Sequence, residues 1–325
     1  MEEVAFVKAA KDSKIAERKE KIVEVDCLPQ LNDDIQGDEK KYNLKKVLGE
    51  GGYGTVFLSQ DGAKLVAVKT EKFSTSMLHA DVGVLKAAKA AKAKHFCELL
   101  DYGLKEPHYA YMVMSLLYKD LHKLRYEMPN KRFSISTSLR LSMQSLKAIE
   151  ELHKLGYVSC DIKPGNFAPG HRCNKQSKII FLYDFGLSKR YIDKKGKVIP
   201  ARKDVGWRGT TRYASLTAHS EQDLGRRDDL ESWFYMIVEM TRGMLPWRFL
   251  SERNEVYVAK QTARAVGRKH FLYETPKQFD RVLTTVDSYS FESQPEYDKI
   301  YRMLEEVREE KGIRLDERWD WEGQS

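Results

Sequence analysis

The hydrophobic positions predict short strands in the first third of the chain and mainly helices after it. Runs rich in Val, Leu, Tyr and Phe are separated by glycine-containing turns, which predicts an antiparallel meander over 42–48, 55–59 and 65–70. Ala, Leu and Lys occur in helical proportions at 77–94, so a helix is expected there. Two more strand-like runs follow at 96–102 and 109–115.

The second part of the chain is predicted to be mostly helical. Hydrophobic residues recur at intervals of three and four before Gly156, and they are Leu139, Met143, Leu146, Ile149 and Leu152. A second stretch, 230–240, is apolar on nearly every side, as expected of a buried helix. Asp228 with Glu231 three residues later predicts a capping box at its start, and Gly243 predicts its end.

This order of elements predicts an α+β fold with two lobes. A small antiparallel β-sheet lobe is expected at 42–117 and a larger, mostly helical lobe at 118–312. A charged N-terminal extension, 1–41, precedes them, and a short helix within it is predicted to end near Pro29. A C-terminal tail, 313–325, follows. No internal repeat and no low-complexity tract interrupts the pattern.

Composition narrows the class of protein. Hydrophobic residues make up 42% of the 325 positions, enough for a substantial core. No apolar run approaches the roughly 20 residues of a membrane span, and 1–21 alternates Lys with Glu, unlike a secretory signal. The cysteines are scattered without CxxC spacing, which favours a reducing compartment and disfavours a zinc site. We therefore expect a cytoplasmic protein, with the nucleus as the alternative.

The net charge of +8 favours acidic partners, such as phosphate groups, acidic peptide segments or nucleic acid. A soluble, self-repelling surface is the alternative explanation. The segment 191–212 concentrates this charge, and its basic residues are Lys194, Lys195, Lys197, Arg202, Lys203, Arg208 and Arg212. If it folds over a substrate groove, it would recognise acidic or phosphorylated residues; a solvated basic loop is the competing interpretation.

A glycine-rich turn follows the first strand of the meander. Gly49, Gly51 and Gly54 form a G-x-G-x-x-G pattern. A dinucleotide-binding fingerprint needs a helix next, whereas a strand follows here, and the Gly-Lys-Ser/Thr of a Walker loop is absent. What remains is a hairpin whose backbone N–H groups approach phosphate oxygens, or an ordinary hairpin turn.

A lysine on the third strand is the candidate for binding the same phosphates. Lys69 lies fifteen residues past Gly54, and the small Ala67 beside it leaves room for a flat adenine ring. Such a lysine needs a carboxylate from the following helix, and Asp81 is the candidate. Because Asp is one methylene shorter than Glu, the pair is expected to be looser unless the helix moves inward. A solvent-facing lysine and a surface acid are the alternatives.

Two loop motifs carry the chemistry of phosphoryl transfer. In D-x-K-P-x-N, Asp161 would accept the proton of the attacking hydroxyl, Lys163 would offset charge on the phosphoryl group, and Asn166 would hold a second Mg²⁺. Asp184, which opens Asp-Phe-Gly after a buried-looking strand, would bind the Mg²⁺ between the β- and γ-phosphates. The lysine two residues after the first aspartate favours Ser or Thr hydroxyls over Tyr.

The two residues before Asp161 differ from the His-Arg pair that is usual there. Ser159 cannot brace the loop as an imidazole ring does, and Cys160 cannot pair with a phosphate on the activation segment. We expect either constitutive or reduced activity. A nucleophilic or redox role for Cys160 is a weaker alternative, because no cationic partner is evident nearby in sequence.

The segments 209–219, 225–232 and 245–247 resemble the casein kinase 1 superfamily, which also lacks the Ala-Pro-Glu motif of most kinases. The loops at 161–168 and 205–210 look most similar to the tau-tubulin kinase branch, and the resemblance covers about 42–310. It implies a bilobal protein kinase fold with ATP and Mg²⁺ in the cleft. It also implies that Asp228 holds the catalytic loop, and that Arg212, with Arg226 or Arg227, binds an anionic group on substrates.

The resemblance further implies Met114 as the gatekeeper and Ser115–Leu117 as the hinge. The expected ATP-binding set is Leu48, Gly49, Glu50, Gly51, Gly52, Tyr53, Gly54, Val56, Ala67, Lys69, Asp81, Met114, Leu116 and Leu117. The first hypothesis is an active Ser/Thr kinase, monomeric, that prefers acidic or pre-phosphorylated proteins. A pseudokinase that recruits partners is the second. Nucleic-acid binding is a weaker third, because basic and aromatic residues are not interleaved as in RNA-binding motifs.

Overall fold

A five-stranded antiparallel sheet forms the first lobe of the structure, a computed structural model that describes residues 25–52 and 54–323. The sheet order is β3-β4-β5-β7-β6, and one helix, α1, packs on its inner face. A separate hairpin, β1–β2, precedes it. The bounds are β1 Asp34–Gln36, β2 Lys41–Asn43, β3 Lys46–Glu50, β4 Gly54–Asp61, β5 Lys64–Lys72, α1 Leu78–Ala90, β6 Leu99–Lys105 and β7 Tyr109–Ser115.

The central strand β5 separates two hydrophobic clusters. Side chains alternate between the faces of a strand, so Val66 and Val68 join the outer cluster while Ala67 joins the main core. Ala67 pairs with Met114 of β7, and Lys69 pairs with Met112. The alternation therefore directs Ala67 and Lys69 to the face that meets the second lobe.

The predicted strand 42–48 is wrong as one element, because it is divided into β2 and β3. Tyr42 pairs with Ile35 of β1, and both side chains lie in the outer cluster with Leu44. The register of β3 with β4 begins at Lys46, opposite Leu58. The buried hairpin thus uses residues on both sides of the proposed boundary at 41/42. The division of the chain into extension, lobes and tail stays a prediction, and the helix proposed near its start lies outside the described residues.

The second lobe is built on two long buried helices, α3 and α5, which pack against each other. The helices α8 and α9 pack on them, and short antiparallel strand pairs complete the lobe. The helix bounds are α2 Leu121–Glu127, α3 Ile135–Lys154, α4 Leu216–His219, α5 Arg226–Arg242, α6 Arg253–Arg264, α7 Arg268–Phe271, α8 Gln278–Asp287 and α9 Tyr297–Glu310. The short strands are β8 Tyr157–Val158, β9 Phe167–Pro169, β10 Ile180–Leu182 and β11 Lys189–Arg190.

The start of α5 corrects one sequence-based prediction. The helix begins at Arg226, with Gly225 as N-cap, and the Asp228 carboxylate accepts the Gly225 N–H at 2.8 Å. Asp228 is therefore the third helical residue, and its carboxylate reaches back to the cap. Gly243 follows the helix with φ of 90°, a left-handed conformation that glycine adopts without steric cost, as predicted.

The C-terminal segment packs on the start of α3. Asp320 accepts hydrogen bonds from the backbone and hydroxyl of Ser134 and from the hydroxyl of Thr137. The ring of Trp319 stacks on Trp321 at 5.1 Å. Much of the predicted tail is thus bound to the second lobe. Among the described residues, no helix has the length and apolar character that crossing a membrane requires.

Candidate active site

A cavity of about 550 Å³ lies between the two lobes. Nine of the predicted ATP-binding residues line it, and they are Leu48, Gly49, Val56, Ala67, Lys69, Asp81, Met114, Leu116 and Leu117. Glu50, Gly51, Gly52 and Gly54 do not line it, and Tyr53 lies outside the described residues. The lining is mostly apolar, and Lys69, Asp81 and Asp184 form one charged cluster within it, which suits a flat base with a charged tail.

The glycines of the first turn have two different physical roles. A Cβ on Gly49, Gly51 or Gly52 would meet nothing within 4 Å, so the backbone there is open to an incoming group. A Cβ on Gly54 would lie 1.8 Å from the Thr70 carbonyl oxygen. Gly54 is therefore required by the packing of β4 on β5, and the other glycines leave the turn accessible.

Lys69 forms a buried ionic pair with Asp81, as the sequence predicted. The Lys69 Nζ lies 3.0 Å from Asp81 Oδ2, and Asp81 is 1% exposed. Glu71 and Asp184 lie 3.0 and 3.4 Å from the same Nζ. Burial alone would lower the pKa of Lys69, but the Asp81, Asp184 and Glu71 carboxylates raise the pKa above its usual value. The lysine is therefore a fixed cation at the end of the cavity.

Asp81 also links α1 to the Asp-Phe-Gly segment. Its second oxygen, Oδ1, accepts the Phe185 backbone N–H at 2.7 Å. Phe185 is buried, and its ring stacks on Phe96 at 5.7 Å. The shorter aspartate thus makes a direct contact with Lys69 rather than the looser one expected, because α1 lies close enough for one carboxylate to bind both partners.

The catalytic loop brings Asp161, Lys163 and Asn166 together. Lys163 Nζ lies 2.6 Å from Asp161 Oδ2, and the Thr210 hydroxyl donates to Asp161 Oδ1 at 2.7 Å. Lys163 also donates to the Thr210 hydroxyl at 3.2 Å. Asn166 Nδ2 donates to the Asp161 carbonyl at 2.9 Å, which leaves the amide oxygen of Asn166 as the atom for a cation.

The donor set fits a hard divalent cation bound together with phosphates. Asp184 has a positive φ of 64°, and its side chain is 46% exposed at the end of the cavity. Carboxylate and amide oxygens are ligands of the kind Mg²⁺ takes, and the ion usually keeps waters and phosphate oxygens besides one or two protein groups. Asp184 and Asn166 supply two such oxygens, and Lys69 lies beside Asp184.

The expectation that Asp228 holds the catalytic loop is wrong, because its neighbour Asp229 does so. Asp229 Oδ2 accepts the Ser159 N–H at 2.7 Å, and Oδ1 accepts the Cys160 N–H at 2.9 Å. His153 lies 2.8 Å from the same Oδ2 through its Nε2. The carboxylate is buried and binds the backbone before Asp161, so this loop is braced without a ring at position 159.

Cys160 is buried, and its environment is not that of a reactive thiol. Burial raises its pKa, and the nearby Asp229 carboxylate raises it further. Thiolate chemistry needs a lowered pKa and access to solvent. The structure therefore gives no support to a nucleophilic or redox role for Cys160.

The Asp223 carboxylate lies near Cys160 and binds two cations of the protein itself. Asp223 Oδ1 lies 2.5 Å from Lys189 Nζ and 2.8 Å from a terminal nitrogen of Arg202. The Arg202 N–H donates to Asp223 Oδ2 at 3.0 Å. Burial would raise the pKa of Asp223, but the hydrogen bonds from Arg202 and Lys189 hold it well below its usual range. Asp223 therefore binds Arg202 of the basic segment to the second lobe, and no phosphate group on the segment is needed for this contact.

Two of the three arginines predicted to bind substrate anions have structural partners. Arg226 is 9% exposed and donates to the Glu292 carbonyl at 2.9 Å, so it does not present a free cation. Arg227 donates to the Tyr289 carbonyl and to the Thr217 hydroxyl. The burial of Arg226 contradicts its implied role, whereas Arg227 keeps about a third of its side chain exposed and its implied role stays a prediction.

The third predicted anion-binding residue, Arg212, is part of an ion pair. Its guanidinium lies 3.5 Å from Glu239 Oε1, with about a third of its side chain exposed. Arg208 makes no ion pair and no side-chain hydrogen bond within the described residues, and it lies beside Cys160. Arg208 is therefore the more available cation next to the catalytic loop.

Several residues of the cavity and its surroundings could not be identified from the sequence. Asp120, Lys123 and His171 line the mouth of the cavity, and none belongs to a motif that spacing alone would identify. Thr210 lies in the segments 205–210 and 209–219 that carry the family resemblance, but its contact with Asp161 depends on the fold.

Comparison with known proteins agrees with this geometry. The model of the protein kinase domain matches residues 42–310. A probable serine/threonine-protein kinase of Dictyostelium discoideum is 34% identical over 88% of this chain, which spans 57% of that protein's length. The serine/threonine-protein kinase spe-6 of Caenorhabditis elegans is 33% identical over a match that covers 88% of this chain and 77% of the length of spe-6. A casein kinase I homolog of Kluyveromyces lactis is 32% identical over a match that covers 86% of this chain and 53% of that homolog's length.

Proposed function

This chain belongs to the protein kinase family, and we propose that it transfers the γ-phosphate of ATP to Ser or Thr hydroxyls of protein substrates. The observation that carries the proposal is the presence of two complete groups, one lining the cavity and one on the adjoining catalytic loop, where the Asn166 carbonyl accepts the Tyr183 N–H next to Asp184. Lys69 is fixed by Asp81 beside Asp184, and Asp161 is fixed by Lys163 and Thr210. One group suits the nucleotide and the other the acceptor hydroxyl.

Each side chain of the site would have a distinct role in phosphoryl transfer. MgATP supplies the phosphoryl group. Asp161 orients the substrate hydroxyl and accepts its proton, and its partly buried hydrogen bonds to Lys163 and Thr210 hold it in one position. Lys163 offsets negative charge on the transferred group, and Lys69 fixes the phosphates that stay behind. Asp184 and Asn166 would hold the metal ions through their oxygens.

We propose a preference for acidic or pre-phosphorylated substrates on the strength of the segment 191–212. Only two of its basic side chains, Arg202 and Arg212, form ion pairs within the described residues. Arg208 precedes Gly209 and Thr210, which contact the catalytic loop. A carboxylate or phosphate on a substrate bound at Asp161 would therefore meet cations that have no internal partner.

A pseudokinase is the second candidate, and the observation that favours it is the replacement of the usual His-Arg pair by Ser159 and Cys160. Against it, Asp229 holds the backbone of both residues, and Asp223 supplies an anion for the basic segment. Loss of the two side chains is thus compensated locally. We therefore give priority to the active kinase.

Transfer of label from γ-labelled ATP to dephosphorylated casein distinguishes the two candidates. An active kinase labels casein, and Asp184→Ala reduces the rate at least about 100-fold. Nucleotide binding in a thermal-shift assay, without transfer to casein or to a panel of Ser and Thr peptides, would instead support the pseudokinase.

Substrate preference needs a separate comparison. Two peptides with the same Ser, one flanked by Glu and one by Ala, should differ in KM for the parent protein. Arg208→Ala should reduce that difference several-fold, and Lys311→Ala, which changes an exposed lysine after α9, should leave it unchanged. Equal KM values for both peptides would contradict the acidic preference while leaving the kinase assignment intact.

A further inference from the structure

Lys260 is a lysine that the catalytic groups above do not use, and it is completely buried. It lies on α6, where Val256, Lys260 and Ala263 form the buried face at intervals of four and three residues. Burying a lysine is costly unless its N–H groups find partners. The position therefore demands a set of acceptors, and the structure provides one.

The acceptors all belong to the stretch 211–219, which overlaps the end of the basic segment 191–212. Lys260 Nζ donates to the Thr211 carbonyl at 2.8 Å and to the Ala214 carbonyl at 2.6 Å. Its third contact is His219 Nε2 at 3.1 Å. One side chain thus binds three points of a nine-residue stretch that joins the catalytic region to α5.

These contacts do not depend on the charge of the lysine. Burial lowers the pKa of Lys260 to about 7, with Glu231 opposing and Arg264 adding to the effect. A neutral amine still has two N–H groups for the two carbonyls, and its lone pair can accept from His219. Either protonation state therefore keeps Thr211 and Ala214 in place.

The turn 209–214 that Lys260 holds is next to the catalytic aspartate. Thr210 donates to Asp161 Oδ1 at 2.7 Å, and a Cβ on Gly209 would lie 2.9 Å from the Cys160 carbonyl. Trp247 Nε1 donates to the Arg212 carbonyl at 2.8 Å. Three carbonyls of the stretch are thus bound from one side, while the Thr210 side chain faces the reacting group.

We infer that Lys260 is a positioning residue for the protein substrate: it holds the turn 209–214 at the distance from Asp161 that the acceptor hydroxyl requires. The inference rests on the proposed function for its kinetic consequence. The turn borders Asp161 rather than the adenine end of the cavity, so the effect should appear with the protein substrate and not with ATP. A displacement of about 1 Å at a reacting group can reduce the rate about 100-fold.

The test compares Lys260→Met with Lys269→Met, which changes an exposed lysine on α7. Met keeps the length and apolar stem of the side chain and removes its donors. We expect kcat/KM for a Ser peptide to fall about 10- to 100-fold in Lys260→Met, with KM for ATP unchanged. Hydrogen exchange should become faster at 210–219 and stay unchanged in α3. Lys269→Met should match the parent protein in every measurement.

Unchanged peptide kinetics together with unchanged exchange at 210–219 would overturn the inference. If the parent protein transfers no phosphate at all, the proposed function fails, and the exchange measurement still decides the structural role of Lys260. If Lys260→Met does not fold, Lys260→Gln takes its place, because its amide is shorter than the lysine chain and can donate to at most two of the three partners. Faster exchange at 210–219 in that variant supports the inference, and unchanged exchange overturns it.

Discussion

Replacing either of two adjacent aspartates on α5 by Asn should change the free energy of unfolding, but with opposite signs for Asp228 and Asp229. Asp229 accepts three hydrogen bonds from His153, Ser159 and Cys160, and all of them are buried. In Asp229→Asn one carboxylate oxygen becomes an NH₂ group, so at least one backbone N–H faces a donor. A buried unsatisfied donor costs about 1–3 kcal/mol, and the remaining bonds lose their charge assistance. We expect a loss of about 2–4 kcal/mol in the free energy of unfolding.

Asp228→Asn should instead stabilise the protein at neutral pH. Burial raises the pKa of Asp228 to about 6 from 3.8, and its Oδ1 has no hydrogen-bond partner within the described residues. The folded protein therefore binds a proton more readily than the unfolded chain, and stability falls as pH rises from about 4 to 6. Two pKa units correspond to about 3 kcal/mol, which is the upper limit of the gain. The amide oxygen of Asn can still accept the Gly225 N–H.

Urea unfolding of both variants at pH 7.5 and pH 4 measures these effects, and phosphotransfer measures the consequence for the catalytic loop. Asp229→Asn should lower kcat about 100-fold, because the loop that carries Asp161 loses its anchor. Asp228→Asn should keep kcat and lose its stability advantage at pH 4. The same sign of stability change in both variants, or full activity in Asp229→Asn, would refute the reasoning.

Three further predictions concern the cavity and the basic segment. Asp81→Asn should lower kcat/KM for ATP about 10- to 100-fold, because it removes the charge that fixes Lys69. Asp81→Glu keeps the charge and should lower kcat/KM less. Equal values for the two variants would contradict the role of the charge. Iodoacetamide at pH 8 should modify Cys173, which is exposed, and leave Cys160 intact until the protein unfolds, as mass spectrometry of the peptides would record. Asp223→Ala should leave two cations without their anion, so limited proteolysis should cut the segment 191–208 faster than in the parent protein; an unchanged rate would contradict this.

The sequence could predict the site residues that belong to local motifs. Spacing and the surrounding elements predict Lys69, Asp161, Asn166 and Asp184. In the structure Lys69 and Asp184 line the cavity, while Asn166 binds both the Asp161 carbonyl and the Tyr183 N–H beside Asp184. Asp81 was recognisable because it is an acid in the first helix after the lysine strand. Local patterns suffice for such residues, since strand, helix and loop order determine their neighbours.

Contacts between distant segments could not be predicted in the same way. Asp228 and Asp229 differ by about 100° around the helix axis, and only the packing of α5 decides which carboxylate reaches the catalytic loop. Arg226 donates to the Glu292 carbonyl, which lies 66 residues further along the chain. Lys260 is an intermediate case, because the helical period of its buried neighbours marks it as inward-facing, whereas its partners depend on the fold.

The most direct test of the account is transfer of labelled phosphate by the parent protein, Asp161→Asn and Asp184→Ala under identical conditions, with Asp38→Ala as the control at an exposed position between β1 and β2. The parent protein and the control should label Ser and Thr in casein at the same rate. Both catalytic variants should stay folded and lose at least about 100-fold in rate. Equal labelling by all four proteins would contradict the assignment of phosphoryl transfer to this cavity.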